Sequence, residues 1–395
     1  MTMTALTSFS FVTPPKIVFE PGGSAKLGDL MGDLLGDRPL VITDPGLRRL
    51  GLPDPALKSL ASSGCEVTVF DSVEADPSLA TLEAAIALAK EKGTTGILGF
   101  GGGSSLDVAK LVALIAGSGE DLEAAWGVAQ AKGPRLPLAL VPTTAGTGSE
   151  VTPVSIITLP GDEKRGVSSP IIVPDIAVLD PDLTLGLPAA ITAATGIDAM
   201  VHAIEAYASK SPNNNPISRS LAREALSLLG GHIERAVQTP DDREARSAML
   251  IGSMLAGQAF ANSPVAAVHA LAYPIGGRYH VPHGLSNALV LPHTLRFNAA
   301  DATSRAYEIY AEIAPFAFPD LDQGVGTQAL SAQFIDRLGA LSKKLGLQTR
   351  LREMDISEDM LPTLAQDAMK QTRLLVNNPR EVTEADALAI YRAAY

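Results

Sequence analysis

The chain has 395 residues, 46% of them hydrophobic and 19% charged, with a formal net charge of −12. That length suits two or three domains, and the apolar share rules out wholesale disorder. The acidic balance argues against a nucleic-acid partner, which requires clustered Lys and Arg. One cysteine, Cys65, excludes an internal disulfide framework and fits a reducing, cytoplasmic setting.

In chain order, residues 1–16 (MTMTALTSFSFVTPPK) lack the basic and continuous apolar regions of a signal peptide. Short apolar runs at 39–43, 66–70, 96–100 and 137–141 then alternate with helical spacing at 55–63, 78–92 and 104–116. The strand runs are continuously apolar, as parallel strands covered on both faces require. From about residue 188 the spacing is helical, as in 221–229 and 360–369, with turn signals at Leu187-Pro188 and Asn213 to Pro216. The expected architecture is an α/β dinucleotide-binding domain over 1–187, with a Rossmann-like parallel sheet, and an all-α domain over 188–395. A ligand cleft is expected between them. Residues 249–277 contain no Asp, Glu, Lys or Arg, which on length alone would span a bilayer. Gln258, Asn262, Ser263, Pro264 and His269 interrupt the stretch, and unpaired polar groups cost several kcal/mol each in lipid. It reads as a buried core helix followed by a polar turn, with no membrane partner.

Two loops follow strand candidates. The first, GGGSSLDVAK at 101–110, brings Gly101, Gly102, Gly103 and Ser104 to a helix start. Its backbone can approach a ligand closely, and free helical N–H groups suit a pyrophosphate. The plainer alternative is a tight turn with Ser104 as helix cap. Leu106 stands where a GxGxxG fingerprint needs its last glycine. The second loop, PTTAGTGSE at 142–150, offers Thr143, Thr144, Thr147 and Ser149 beside two glycines, a lining for phosphate and ribose oxygens or merely a hydroxyl-rich turn. Asp44, at the end of the 39–43 run, is placed either to accept from an adenosine ribose, favouring NAD over NADP, or to cap the turn Asp44-Pro45-Gly46.

Histidine occurs at 202, 232, 269, 280, 283 and 293 only. Asp198 and His202 stand at i and i+4, on one helical face. His269 lies in AVHALAY at 267–273 and His283 in the turn VPHG at 281–284. Three imidazoles and a carboxylate suit Fe²⁺ or Zn²⁺, although spacing alone does not establish convergence.

Over essentially its whole length the sequence resembles the iron-containing (group III) alcohol dehydrogenase family, through 100–110, 142–151, 179–184, 187–207 and 268–292. The resemblance implies a dehydroquinate synthase-like architecture and homodimers or larger homo-oligomers. It implies metal ligation by Asp198, His202, His269 and His283. Cofactor contacts fall on Asp44, Gly101 to Ser104, Asp107, Thr143, Thr144 and Thr147. Tyr273 stands where many members carry a further histidine linked to proton relay, and a similar tyrosine marks the branch of hydroxyacid-oxoacid transhydrogenases. A cofactor lysine of the family falls at Lys164 or Arg165. Tyr273 or His280 is the candidate substrate or proton-relay group, His280 being equally readable as a surface residue. The implied reaction is hydride transfer between NAD(H) and a small alcohol or aldehyde, or a hydroxyacid or ketoacid. Maleylacetate reductases generally lack the aspartate, and dehydroquinate synthase uses a glutamate and two histidines. A non-catalytic NAD-binding protein would have no need of four intact ligands.

Overall fold

The computed structural model describes residues 8–161 and 163–395. Residues 1–7, part of the stretch weighed as a leader, and Asp162 lie outside the described residues. The chain forms two compact units. One is Val12–Leu185; the other is residues 186–395 together with residues 8–11. Those four early residues join the second unit through Ser10, whose N–H donates to Asn213 Oδ1 at 2.9 Å and whose carbonyl accepts from Asn213 Nδ2 at 3.0 Å.

In the first unit the strands are β1 (Lys16–Phe19), β2 (Pro39–Ile42), β3 (Thr68–Phe70), β4 (Gly96–Gly101), β5 (Gly127–Val128), β6 (Leu138–Pro142), β7 (Val154–Leu159), β8 (Glu163–Ser168) and β9 (Ile176–Leu179). Its α-helices are α1 (Leu27–Leu35), α2 (Pro45–Arg49), α3 (Asp54–Ser62), α4 (Leu79–Glu91), α5 (Gly103–Ser118) and α6 (Leu122–Ala125). Six strands form a wholly parallel sheet in the order β1-β9-β6-β4-β2-β3. Side chains alternate between its faces, so each strand feeds two cores. Leu40, Ile42, Ile97, Leu138 and Leu140 pack with α4 and α5; Val41, Leu98, Phe100, Ala139 and Val141 pack with α1 and α3. That double burial is why the apolar runs are continuous rather than alternating. From β2 the chain runs to β3 on one side, then returns to β4 on the other. The carboxyl ends of β2 and β4 therefore flank the point where strand order reverses, where open α/β sheets bind ligands.

The sequence reading passes over β1 and β9, which pair Lys16 with Ile176 and Phe19 with Leu179. Their pairing partners lie some 160 residues apart, so no local pattern announces the pair. It also passes over the antiparallel β7–β8 hairpin, which with β5 makes a second, three-stranded sheet.

Among the described residues the second unit is helical: α7 (Ala189–Ala208), α8 (Pro216–Gln238), α9 (Arg243–Asn262), α10 (Ala267–Tyr279), α11 (His283–Ala299), α12 (Ala306–Ala317), α13 (Thr327–Lys344), α14 (Leu361–Met369), α15 (Thr372–Leu375) and α16 (Glu384–Ala394). The uncharged stretch 249–277 divides between α9 and α10. Two of the polar groups that interrupt it are paired inside the protein: Ser263 Oγ donates to Ala206 O at 2.6 Å and Asn262 Nδ2 to Gln258 O at 2.9 Å. No described helix is long and apolar enough to cross a membrane.

Candidate metal centre and cofactor loops

Helix α7, which packs on α11, carries Asp198 and His202 one turn apart. His269 lies in the first turn of α10, and His283 is the first residue of α11. One ligand atom from each of these four residues lies within 4.8 Å of every other. His283 Nε2 is 3.5 Å and His269 Nε2 3.8 Å from Asp198 Oδ1. The His202 ring stacks between Phe260, 4.4 Å away, and His269, 4.7 Å away. Asp198, His202 and His269 are buried, whereas His283 keeps 41% of its side-chain exposure, which leaves one open side. Burial by itself would push the Asp198 carboxyl up. His202, His283, His269 and an amide N–H more than offset this, and hold it below the usual carboxylate range.

That amide belongs to Asn287, one turn beyond His283 on α11 and fully buried. Its Nδ2 donates to Asp198 Oδ1 at 2.6 Å and stands 3.3 Å from both His269 Nε2 and His283 Nε2. Its Oδ1 is buried with no hydrogen-bond partner. A donor group thus faces one carboxylate and two imidazole nitrogens, a set whose chemistry suits a cation. Glu205, on the next turn of α7, places Oε2 2.7 Å from His269 Nδ1. Sequence reasoning missed both groups. The signal was present in their spacing: Glu205 continues the 198–202 face, and Asn287 repeats an i, i+4 step from His283.

Of the remaining candidates, Tyr273 lies one turn beyond His269, its ring 6.0 Å from that of His283. His280 is exposed at the end of α10 with φ 53°. His232 and His293 are outside the cluster; burial, then Arg296 and Arg350, push the His293 imidazole down to about 4.

In the first unit the two loops meet. β4 and β6 are neighbours with Gly101 opposite Pro142, and Thr143 N–H donates to Gly101 O at 3.0 Å. A Cβ on Gly103 would lie 2.8 Å from Thr147 Cγ2, so glycine lets the two loops approach without displacing that side chain. The cap of α5 is Gly102, with no side-chain hydrogen bond, and not Ser104 as the plainer reading held. The first-turn N–H groups of a sixteen-residue helix thereby lack a side-chain acceptor, as anion binding requires.

Asp107 faces the protein. Its Oδ1 accepts from Ser149 Oγ at 2.6 Å and its Oδ2 from Ile156 N–H at 2.8 Å. Lys110, wholly buried, donates to Ser149 Oγ, Thr152 Oγ1 and Val154 O at 2.8, 3.1 and 2.7 Å. Burial depresses its ammonium to about 8, against the opposing pull of Asp107 and Glu150. Together they pin the hydroxyl loop onto α5. Asp44 caps α2, its Oδ1 accepting from Leu47 N–H at 2.9 Å. Lys164 and Arg165 lie on β8, Lys164 ion-paired with Asp76 and Arg165 with Glu163 and Glu123.

The family model described as "Iron-containing alcohol dehydrogenase" matches residues 14–181, and "Fe-containing alcohol dehydrogenase family, C-terminal" matches residues 192–395. The chain is 40% identical over 359 residues to "Long-chain-alcohol dehydrogenase 1" of Geobacillus thermodenitrificans, covering 90% of this chain and 89% of that protein. It is 32% identical to "NAD-dependent methanol dehydrogenase" of Bacillus methanolicus, covering 98% and 99%. A crystal structure of 1,3-propanediol oxidoreductase superposes with a TM-score of 0.93 at 34% identity, over 98% of this chain and 100% of that one. Two family models spanning both units, and relatives alike from end to end, leave one conclusion: the chain belongs to the iron-containing alcohol dehydrogenase family and is an oxidoreductase of that family.

Proposed function

We propose that the protein transfers a hydride between NAD(H) and a small alcohol or its aldehyde, with a hydroxyacid and its ketoacid as the wider substrate class. The observation that carries this is the convergence of Asp198, His202, His269 and His283 to within 4.8 Å. Three nitrogen donors, one carboxylate and an open side suit Fe²⁺ or Zn²⁺. A divalent ion held there supplies Lewis-acid polarisation of the substrate oxygen. Asp198 sets the negative charge of the pocket. Asn287 orients the carboxylate through its 2.6 Å hydrogen bond. Partly exposed His283 marks the side on which substrate enters. The intact aspartate speaks against a maleylacetate reductase-like chemistry. Treatment with a chelator should abolish alcohol-dependent NAD reduction, and Fe²⁺ or Zn²⁺ should restore it across a panel of primary alcohols, diols and hydroxyacids. Full turnover by protein shown to be metal-free would refute the reading.

Tyr273 is the proposed substrate-side group, its phenol able to hand on a proton, with His280 as the second candidate. Four better donors already surround the metal position, so Tyr273→Phe should keep full metal content while changing KM or the pH profile of turnover. Loss of metal from a folded Tyr273→Phe protein would make Tyr273 a ligand instead.

For the cofactor, the α5 N-terminus with Gly101 to Ser104 takes the pyrophosphate. Thr144 and Thr147 face it, while Thr143, Asp107 and Lys110 shape the loop from within. A relative described as an NAD-dependent methanol dehydrogenase supports NAD. Asp44 Oδ1 is committed to the α2 cap, and Oδ2 has no hydrogen bond among the described residues. A 2′-phosphate about 4 Å from that carboxylate meets roughly 4 kcal/mol of repulsion at an effective dielectric near 20. After screening, a preference for NAD of about ten- to a thousandfold is expected. Asp44→Gly should reduce it, chiefly by improving kcat/KM with NADP. A wild-type preference for NADP would leave Asp44 as a helix cap alone. The single free thiol, Cys65, supports a cytoplasmic location, and the family resemblance supports a homo-oligomer.

A further inference from the structure

Glu205 stands outside the four-donor cluster, and the chemistry proposed above does not use it. It is 4% exposed, with both carboxylate oxygens turned onto the start of α10. Oε1 accepts from Val268 N–H at 2.6 Å. Oε2 accepts from Ala266 N–H at 3.0 Å and faces His269 Nδ1 at 2.7 Å. Backbone N–H groups can only donate, so Glu205 acts as an acceptor on both oxygens. The third group on the same carboxylate must then donate as well, which puts the proton of a neutral His269 on Nδ1. The other ring nitrogen gives an independent indication. Asn287 Nδ2 can only donate, and it lies 3.3 Å from His269 Nε2. Its inward orientation is set by the 2.6 Å hydrogen bond to Asp198 Oδ1, an acceptor. Both neighbours therefore require the same tautomer, with a proton on Nδ1 and a lone pair on Nε2, directed at the cluster.

We infer that Glu205 is a positioning residue of the metal site: it selects the His269 tautomer whose Nε2 can ligate, and it anchors the first turn of α10 so that this lone pair faces Asp198. This rests on the metal-dependent reading proposed above. Carboxylate partners of ligating histidines act in this way, by fixing ring orientation and raising ligand basicity. In Glu205→Gln one oxygen becomes an NH2 group. That group must either face a backbone N–H or donate to Nδ1, and the second arrangement moves the histidine proton to Nε2, which cannot then bind a cation.

The first test needs no variant and no metal. ¹⁵N NMR of the metal-free wild-type protein, with His269 assigned by its loss in His269→Gln, should show a protonated Nδ1 and an unprotonated Nε2. The reverse pattern, or rapid exchange between the two, overturns the inference. The second test is titration with Co²⁺, following the d–d absorption of the bound ion. Glu205→Gln should raise the Co²⁺ dissociation constant about ten- to a hundredfold and alter the band shape, with the circular dichroism of the wild type retained. An unchanged dissociation constant and spectrum overturn the inference. Asp198→Ala titrated in parallel separates the two failures. If it binds Co²⁺ as wild type does, the metal-site reading itself fails; if only Glu205→Gln is indistinguishable from wild type, the positioning role alone fails.

Discussion

Asp198→Ala should leave a folded protein with little bound metal and a kcat/KM lowered about a thousandfold or more. Asp198 is the one anionic donor among three imidazoles, and its removal takes away both the charge that attracts a divalent ion and one of its four attachment points. Lewis-acid stabilisation of a developing alkoxide is worth several kcal/mol, and about 4 kcal/mol corresponds to three decades in rate. The cost to folding is smaller. Asn287 Nδ2 loses its 2.6 Å acceptor, about 1–3 kcal/mol for a buried donor left without a partner, while repulsion-free alanine fits a helix interior well. Metal content by elemental analysis, with circular dichroism as the fold control, checks the result. A fully loaded and active Asp198→Ala protein would remove Asp198 from the metal site.

Gly284→Ala should damage stability and metal binding together. A Cβ at Gly284 would lie 2.2 Å from Ala194 O, 2.6 Å from Ala194 C and 3.3 Å from Asp198 Cβ. The first two are backbone atoms of α7, which no rotamer change can move aside. Helix α11 must therefore back away from α7 and take the neighbouring His283 with it. Its Nε2 stands 3.5 Å from Asp198 Oδ1 in the native arrangement, and an ångström of displacement removes it from a shared coordination sphere. Overpacking of this kind costs about 1–3 kcal/mol, more when the obstacle is main chain. The expected readouts are a lower thermal midpoint and at least a tenfold weaker metal affinity. Wild-type values for both would show that α7 and α11 are not locked by this contact. The substitution also separates packing from ligand chemistry, because Gly284 carries no donor atom of its own.

Both results depend on features that differ in how far they can be read without coordinates. The apolar runs at 39–43, 96–100 and 137–141 announce a parallel sheet because burial on both faces leaves no polar alternation, and the strands found there differ by a residue or two at their ends. The runs KIVF and IAVL, which become β1 and β9, pair across the full length of the unit. Nothing local to either run distinguishes it from a short buried turn. The glycine loop is legible as an anion cradle, and the plainer alternative, a turn capped by Ser104, rests on the general preference for side-chain oxygens at that position. The fold leaves Gly102 there and the N–H groups without a side-chain acceptor.

The residues alone offer a candidate donor set, one aspartate and three histidines at positions that match a family motif, with Asp198 and His202 on one face because an α-helix repeats every 3.6 residues. They likewise offer two loops of glycines and hydroxyls after apolar strands. Tertiary structure decided the rest. Asp107 turns both oxygens onto Ser149 and Ile156. Glu205 meets His269 across 64 positions of sequence, and Asn287 meets Asp198 across 89. Helical periodicity is a local property and survives in the sequence as spacing. A hydrogen bond between helices depends on how α7, α10 and α11 pack, down to the missing Cβ of Gly284, and that information is spread over every residue in their contact surfaces.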